Sequence, residues 1–91
     1  MMDEATFREQ CKDQGFDEPD MVARCSNFTN EEHVHDFSVL ALILAGEFNV
    51  ITANGTVTCR AGDSFALDAG KPHHERCGPE GAEILAARRS A

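Results

Sequence analysis

The hydrophobic positions of this chain follow two different patterns, and the change between them falls near Pro19. Within residues 3–14 (DEATFREQCKDQ), Phe7 and Cys11 lie four positions apart on one face of a helix, and Gly15 follows as a stop signal. After Pro19 the apolar residues occur in short runs between turn residues, which is typical of β-strands. We therefore expect a short N-terminal α-helix followed by a β-rich region.

The turn residues divide this β-rich region into strands. Asn54-Gly55 is flanked by FNVITA and TVTCR, and such a dipeptide supplies the positive φ angles of a type I′ hairpin. Strands over 47–53 and 56–60 should therefore pair antiparallel. Turns at 61–63 and 77–81 then bound further strands near 64–67, 73–77 and 82–88. Roughly six or seven short strands predict an all-β fold, a small antiparallel sandwich or barrel.

These patterns predict a single domain. We place the N-terminal helix and its linker at residues 1–19 and the β-barrel at residues 20–91. Four cysteines, Cys11, Cys25, Cys59 and Cys77, are widely spaced and form no C-x-x-C pair. We expect them to be reduced and to act as small buried hydrophobes.

The net charge of the chain limits the kinds of molecule that it can bind. The 91 residues include 16 acidic and 8 basic side chains, for a net charge of −8. This charge repels nucleic-acid phosphates and anionic lipid headgroups, so we expect neither nucleic acid nor a membrane as partner. The longest apolar run, 39–45, is too short to span a bilayer, and the N-terminus is acidic, so we expect a cytoplasmic protein. The small core favours pairing with a second copy, a homodimer.

Histidines supply the candidate chemistry. His33 and His35 would share one face of an extended strand, because strand side chains alternate in direction. Neutral imidazole is a common metal ligand, but an H-x-H pair alone is weak evidence, since exposed or hydrogen-bonded histidines are frequent. A second segment, AGDSFALDAGKPHHERCG, adds a Gly-Asp turn, an apolar strand and a Gly/Pro loop before His73.

Together these segments resemble the two sequence motifs of the cupins. The first motif, H-x-H with a Glu and then a Gly further on, is similar to His33-Val34-His35 followed by Gly46. The second is similar to residues 62–73. The resemblance runs from about Arg24 to Arg88 and is closest to the small single-domain cupins of bacteria. It implies a conserved β-barrel of the jelly-roll type.

The resemblance also implies a metal site made of His33, His35 and His73, all pointing into the barrel. The metal-binding Glu of the family usually stands where this chain has Val39, so a carboxylate ligand is missing. Three neutral imidazoles can hold a divalent transition metal such as Zn, Fe, Ni or Mn and leave a position for water or substrate. The competing interpretation is a pocket that keeps its histidines for packing or for ligand binding. The apolar residues expected to line the pocket are Phe37, Val39, Phe65 and Leu67.

Acid–base groups near the site are few. By alternation Glu75 and Cys77 share the face of His73, whereas His74 points away from it, and all three are weak candidates for catalysis. We expect a metal-dependent cupin that acts on a small organic molecule, by dioxygenase, isomerase or lyase chemistry. The alternative is a non-catalytic cupin that binds or senses a small ligand without an essential metal. The sequence leaves open whether the protein is an enzyme.

Overall fold

A computed structural model describes residues 1–90 of the chain; residue 91, the last of the expected β-domain, lies outside them. The elements are helix α1 (Glu4–Asp13) and strands β1 (Asp20–Arg24), β2 (Phe37–Thr52), β3 (Gly55–Arg60), β4 (Ser64–Leu67) and β5 (His74–Ser90). All strand pairings are antiparallel, in the order β1-β5-β2-β3, and β4 also pairs with β2. The expected small antiparallel β-barrel with a short N-terminal helix is confirmed.

Helix α1 forms where the sequence predicts it. The side chain of Asp3 accepts a hydrogen bond of 2.8 Å from the Thr6 amide, which caps the first turn. Phe7 and Cys11 are fully buried on the face that meets the sheet. The helix therefore covers the outer face of the sheet and leaves the interior of the barrel free.

The two long strands β2 and β5 separate the protein into an inner and an outer layer. Alternate side chains of β2 belong to different clusters: Ala41 and Ile43 face the barrel interior, whereas Leu40 and Leu42 face α1. This alternation follows from the period of two along a strand. The same sheet thus builds a site on one side and a helix-covered core on the other.

The hairpin predicted at Asn54-Gly55 is present. Its turn is not the expected type I′, however. Strands β2 and β3 pair up to Thr52 and Gly55, so Ala53 and Asn54 form the turn, and of the Asn54-Gly55 dipeptide only Gly55 has a positive φ, 122°. The expected strands at 47–53, 56–60 and 64–67 correspond to the end of β2, to β3 and to β4.

Two strand predictions are wrong. Residues 74–77 and 82–88 do not form separate strands but belong to one strand, β5, which His73 precedes, so five strands replace the six or seven expected. Residues 78–81 form a bulge opposite Glu47, because β2 pairs through Gly46 with Ala82 and through Phe48 with Cys77. Turn-forming residues there bend one continuous strand and do not end it.

The four cysteines are all free; Cys11, Cys59 and Cys77 are buried as expected, but Cys25 is exposed. Burial raises the pKa of the three buried thiols, which favours the neutral form. Among residues 1–90, no helix has the length and apolar character that crossing a bilayer requires.

The close packing at the bulge can be tested by substituting Gly46, with Gly70 as the matched control. Gly46 and Gly70 have nearly equal φ angles, 80° and 79°. A Cβ on Gly46 would collide with the Gly81 carbonyl oxygen and lie 2.9 Å from Ala82 Cα, whereas a Cβ on Gly70 would meet nothing within 4 Å. Gly70→Ala should cost about 1–2 kcal/mol for the left-handed backbone alone. Gly46→Ala should cost a further 1–3 kcal/mol or so, because main chain cannot move aside as a side chain can. Equal losses in urea unfolding would contradict the close packing of β2 on β5.

Candidate metal centre

Two main-chain hydrogen bonds pair His33 with His73. The His33 amide donates to the His73 carbonyl over 2.9 Å, and the His73 amide donates back to the His33 carbonyl over 3.0 Å. This pair is an isolated bridge outside the named strands, and β2 begins only at Phe37. The expectation of a regular strand through His33 and His35 is therefore wrong. The imidazoles of His33 and His35 nevertheless lie close together, with ring centroids 4.9 Å apart.

The three imidazoles form a compact cluster. Their ring centroids lie 4.9 Å apart for His33 and His35, 4.3 Å for His33 and His73, and 4.9 Å for His35 and His73. One ring nitrogen from each residue lies within 4.8 Å of the other two. His73 is fully buried, and His33 and His35 are half-buried. The cluster thus borders a partly open cavity, which His33 and His35 line.

Backbone carbonyls orient two of the rings. His33 Nδ1 lies 2.7 Å from the Glu31 carbonyl oxygen, and His73 Nδ1 lies 3.0 Å from that of Lys71. Because a carbonyl oxygen only accepts, each Nδ1 carries the proton and donates it, and each Nε2 keeps a free electron pair. Carbonyl contacts of this kind are the usual way in which metal-binding imidazoles are fixed.

Two imidazole nitrogens in the cluster have no protein partner. His73 Nε2 and His35 Nδ1 are buried and make no hydrogen bond within residues 1–90. A buried polar atom without a partner carries a desolvation cost, which a bound cation would remove for an electron-pair donor. The donor set, three neutral nitrogens at one point, therefore fits a divalent transition metal.

The surroundings of His35 favour its neutral form. Burial is the largest cause that lowers its pKa, followed by the positive charge that His73 and His33 would carry when protonated; Glu75 acts in the opposite direction, and Arg88 lowers the pKa slightly further. Neutral imidazole is the form that binds metal. The surroundings of His35 thus favour the form in which this imidazole can ligate a metal.

The cavity in front of the cluster has a volume of about 200 Å³. Its walls are mostly apolar and include the four residues expected from the sequence. Phe37 stacks on His35 with a centroid distance of 4.6 Å and an interplanar angle of 5°, which holds that imidazole in place. The apolar lining residues are Val22, Phe37, Val39, Ala41, Phe48, Phe65, Leu67, Ile84 and Ala86.

Of the three weak acid–base candidates, only Glu75 lines this cavity. Cys77 is buried in the inner core beside Phe48. His74 is half-buried and is not among the residues that line the cavity. Glu75 is held by Asn30, whose Nδ2 donates to Glu75 Oε1 over 2.8 Å and whose Oδ1 accepts from the Glu75 amide over 2.7 Å.

Several residues that line the cavity were not predicted from the sequence. Asn30 lies in a loop, and the pattern of hydrophobic residues gives no signal for its contact with Glu75. Arg24 and Arg88 lie at or near the ends of their strands. Both are exposed, as is ordinary for a charged residue there, and both also line the cavity. Val39 also lines it, and its side chain offers no ligand in place of the missing carboxylate.

Fold and site together define a small antiparallel barrel with a cluster of imidazoles at its inner wall. The model of the cupin domain matches residues 26–87, more than half of the chain. The protein therefore belongs to the cupin family. No curated protein matches the chain.

Solved structures show the same fold. A Rhizobium leguminosarum protein of unknown function has a TM-score of 0.76 and 18% identity, covering 81% of this chain and 70% of its own. An RmlC-like cupin from Shewanella frigidimarina has a TM-score of 0.70 and 23% identity, covering 81% of this chain and 66% of its own. The Cnp3 cupin domain of Schizosaccharomyces pombe has a TM-score of 0.72 and 13% identity, covering 81% of this chain and 52% of its own. This chain thus spans between half and about two thirds of their length.

The depressed pKa of His35 generates a pH prediction for metal-free protein. Because the folded-state pKa lies below the ordinary value of about 6.5, the unfolded chain binds more protons in the interval between the two. The free energy of unfolding should therefore fall as the pH is lowered through about 6.5 and level off below the folded-state pKa. His35→Gln should flatten this part of the profile, and His74→Gln should retain it. An unchanged slope in His35→Gln, measured by urea unfolding in a chelator, would contradict the prediction.

Proposed function

We propose that His33, His35 and His73 bind one divalent transition metal ion, and that the protein acts on a small organic molecule in the adjacent cavity. The observation that carries the proposal is the buried His73 Nε2, which has no partner within residues 1–90 and belongs to a cluster of three converging imidazoles. An all-nitrogen donor set suits Zn, Fe, Ni or Mn.

A bound metal would supply Lewis-acid chemistry and a coordination position for water or substrate. The protein's own residues would hold the ligating imidazoles in position and keep water out of the site. Carbonyls of Glu31 and Lys71 keep two rings in the metal-binding tautomer, and the apolar walls exclude water from the reacting groups. Glu75 Oε1 is held by Asn30, which makes Glu75 the favoured group for holding or moving a proton. We infer no acid–base role for His74 or Cys77.

The alternative is a cupin that binds or senses a small ligand without an essential metal. Val39 favours it, because an apolar side chain occupies the wall where the resemblance implies a ligand carboxylate. Under this alternative the histidines would serve as hydrogen-bonding groups for the ligand. Metal content therefore separates the two functions.

Metal uptake provides the test. Protein purified without chelator should contain close to one metal ion per chain, and His73→Ala and His33→Ala should abolish it. Added Zn²⁺ or Ni²⁺ at about a hundred times its Kd should raise the free energy of unfolding by about 2.7 kcal/mol, an effect that both variants should lose. Chelation, or acidification below about pH 6, should reverse the gain, because imidazole must be neutral to bind metal.

His74→Ala is the matched control, since His74 adjoins His73 but lies outside the cluster and the cavity lining. It should keep full metal content. Circular dichroism checks that each variant is folded. Wild-type protein that contains no metal and takes up none would overturn the metal proposal and favour the ligand-binding alternative.

We also propose that the protein forms a homodimer through strand β1. This strand ends the sheet order, and its Met21 is 56% exposed. Light scattering at micromolar concentration should give twice the mass of the chain. Met21→Lys should yield monomers, whereas Val57→Lys, at an equally exposed position on the β3 edge, should not. A monomeric wild type would contradict the proposal.

A further inference from the structure

Arg88 places a positive charge in the wall of the cavity beside the imidazole cluster. It lies near the end of β5, and its guanidinium carbon is 4.4 Å from the centroid of the Phe37 ring. Phe37 in turn stacks on His35. The guanidinium is thus separated from the cluster by a single aromatic ring, and this ring limits the directions in which it can move.

The N–H groups of the Arg88 guanidinium have no acceptor among the described residues. Arg8 and Arg60 form ion pairs with carboxylates, and Arg89 donates to the Gln14 carbonyl oxygen over 2.6 Å. Within residues 1–90, the side chain of Arg88 makes neither a hydrogen bond nor an ion pair, although the chain has twice as many acidic as basic residues. Its N–H groups therefore remain available to a molecule in the cavity.

The charge of the cavity wall is opposite to that of the protein as a whole. Apart from the imidazoles, the ionisable residues of the wall are Arg24, Arg88 and Glu75, and Glu75 already accepts a hydrogen bond from Asn30. Two positive charges and one negative charge face a cavity in a protein of net charge −8. Such a local excess of positive charge favours an organic anion over an organic cation as the molecule in the cavity.

The rest of the wall indicates what kind of anion fits. Most of the lining is aliphatic or aromatic, so a ligand that is polar all over, such as inorganic phosphate, would leave that surface without apolar contacts. The volume of about 200 Å³ lies below the range of about 300–1,000 Å³ that drug-sized ligands need. A short organic acid, with one charged end and an apolar body, matches both features.

We propose that the cavity binds a short organic carboxylate, whose carboxylate group accepts hydrogen bonds from Arg88 while its other end faces the three imidazoles. This ligand class rests on the proposed function for the role of the imidazoles, but the Arg88 contact itself requires no metal. Guanidinium and carboxylate match in shape and charge, which allows two parallel hydrogen bonds. Apolar contacts with the wall would add affinity for the body of the acid.

Arg89 gives this proposal a matched control. It follows Arg88 directly and stacks at the same distance, 4.4 Å, on another aromatic ring, that of Phe16, but on the outer side of β5. Arg88→Gln and Arg89→Gln therefore remove the same charge and a similar stacking contact from adjacent exposed positions, of which only Arg88 lines the cavity. Calorimetric titration would use straight-chain and branched monocarboxylates of about three to six carbons, with 2-oxo and 2-hydroxy members, and the matching amides.

The expected result is binding of at least one carboxylate and not of its amide. Arg88→Gln should weaken that binding about tenfold or more, and Arg89→Gln should leave it within about twofold. Titration of both the metal-loaded and the chelator-treated protein keeps the two proposals apart. Failure of every carboxylate, equal affinity for acid and amide, or equal losses in the two variants would overturn the carboxylate proposal even if metal binds. Arg88-dependent binding to a protein that takes up no metal would support it while the metal proposal fails.

Discussion

The antiparallel pairing of β2 with β5 is the constraint on which the rest of this protein depends. These strands contribute to both hydrophobic layers, so their pairing decides which residues face the barrel interior and which face α1. The pairing shifts register twice, between Ile43 and Ala45 and between Gly46 and Phe48. These irregularities bend the sheet, because extra residues on one strand increase its local twist. The cavity lies on the inner face of this bent sheet, and its walls come from β1, β2, β4 and β5.

The imidazole cluster shows how a site can be built from backbone rather than from side-chain networks. His33 and His73 exchange two main-chain hydrogen bonds, and a carbonyl two residues earlier in the chain fixes the ring of each. Ring orientation is therefore a property of local main-chain geometry. Phe37 supports the third ring by stacking. Such a site keeps its polar donors aligned although most of the surrounding wall is apolar, which raises the energetic gain from any ligand that satisfies them.

The sequence was sufficient to predict the helix, the Asn54-Gly55 hairpin and the family, because each depends on short-range signals: a capped apolar stripe, a turn dipeptide and two spaced motifs. It was misleading at residues 78–81, because Gly and Pro are common in turns and in bulges alike, and only the pairing with Glu47 distinguishes the two. Asn30 could not be assigned to Glu75, since a contact between residues 45 positions apart leaves no periodic trace. The metal itself stays a prediction, as does the catalytic role of Glu75.

The alternation of side chains over residues 40–43 of β2 has a consequence for how this protein can change in length. Within this strand Leu40 and Leu42 belong to one layer and Ala41 and Ile43 to the other. Insertion or deletion of a single residue there would exchange the layers and turn aliphatic side chains from the helix into the cavity. The bulge at 78–81 takes four residues opposite one, but main chain packs closely there around Gly46 and Gly81, so it too has little room for a change in length. Viable length variants should therefore be concentrated in the loops, whereas residues 40–43 should tolerate apolar substitutions but not a shift of their alternation.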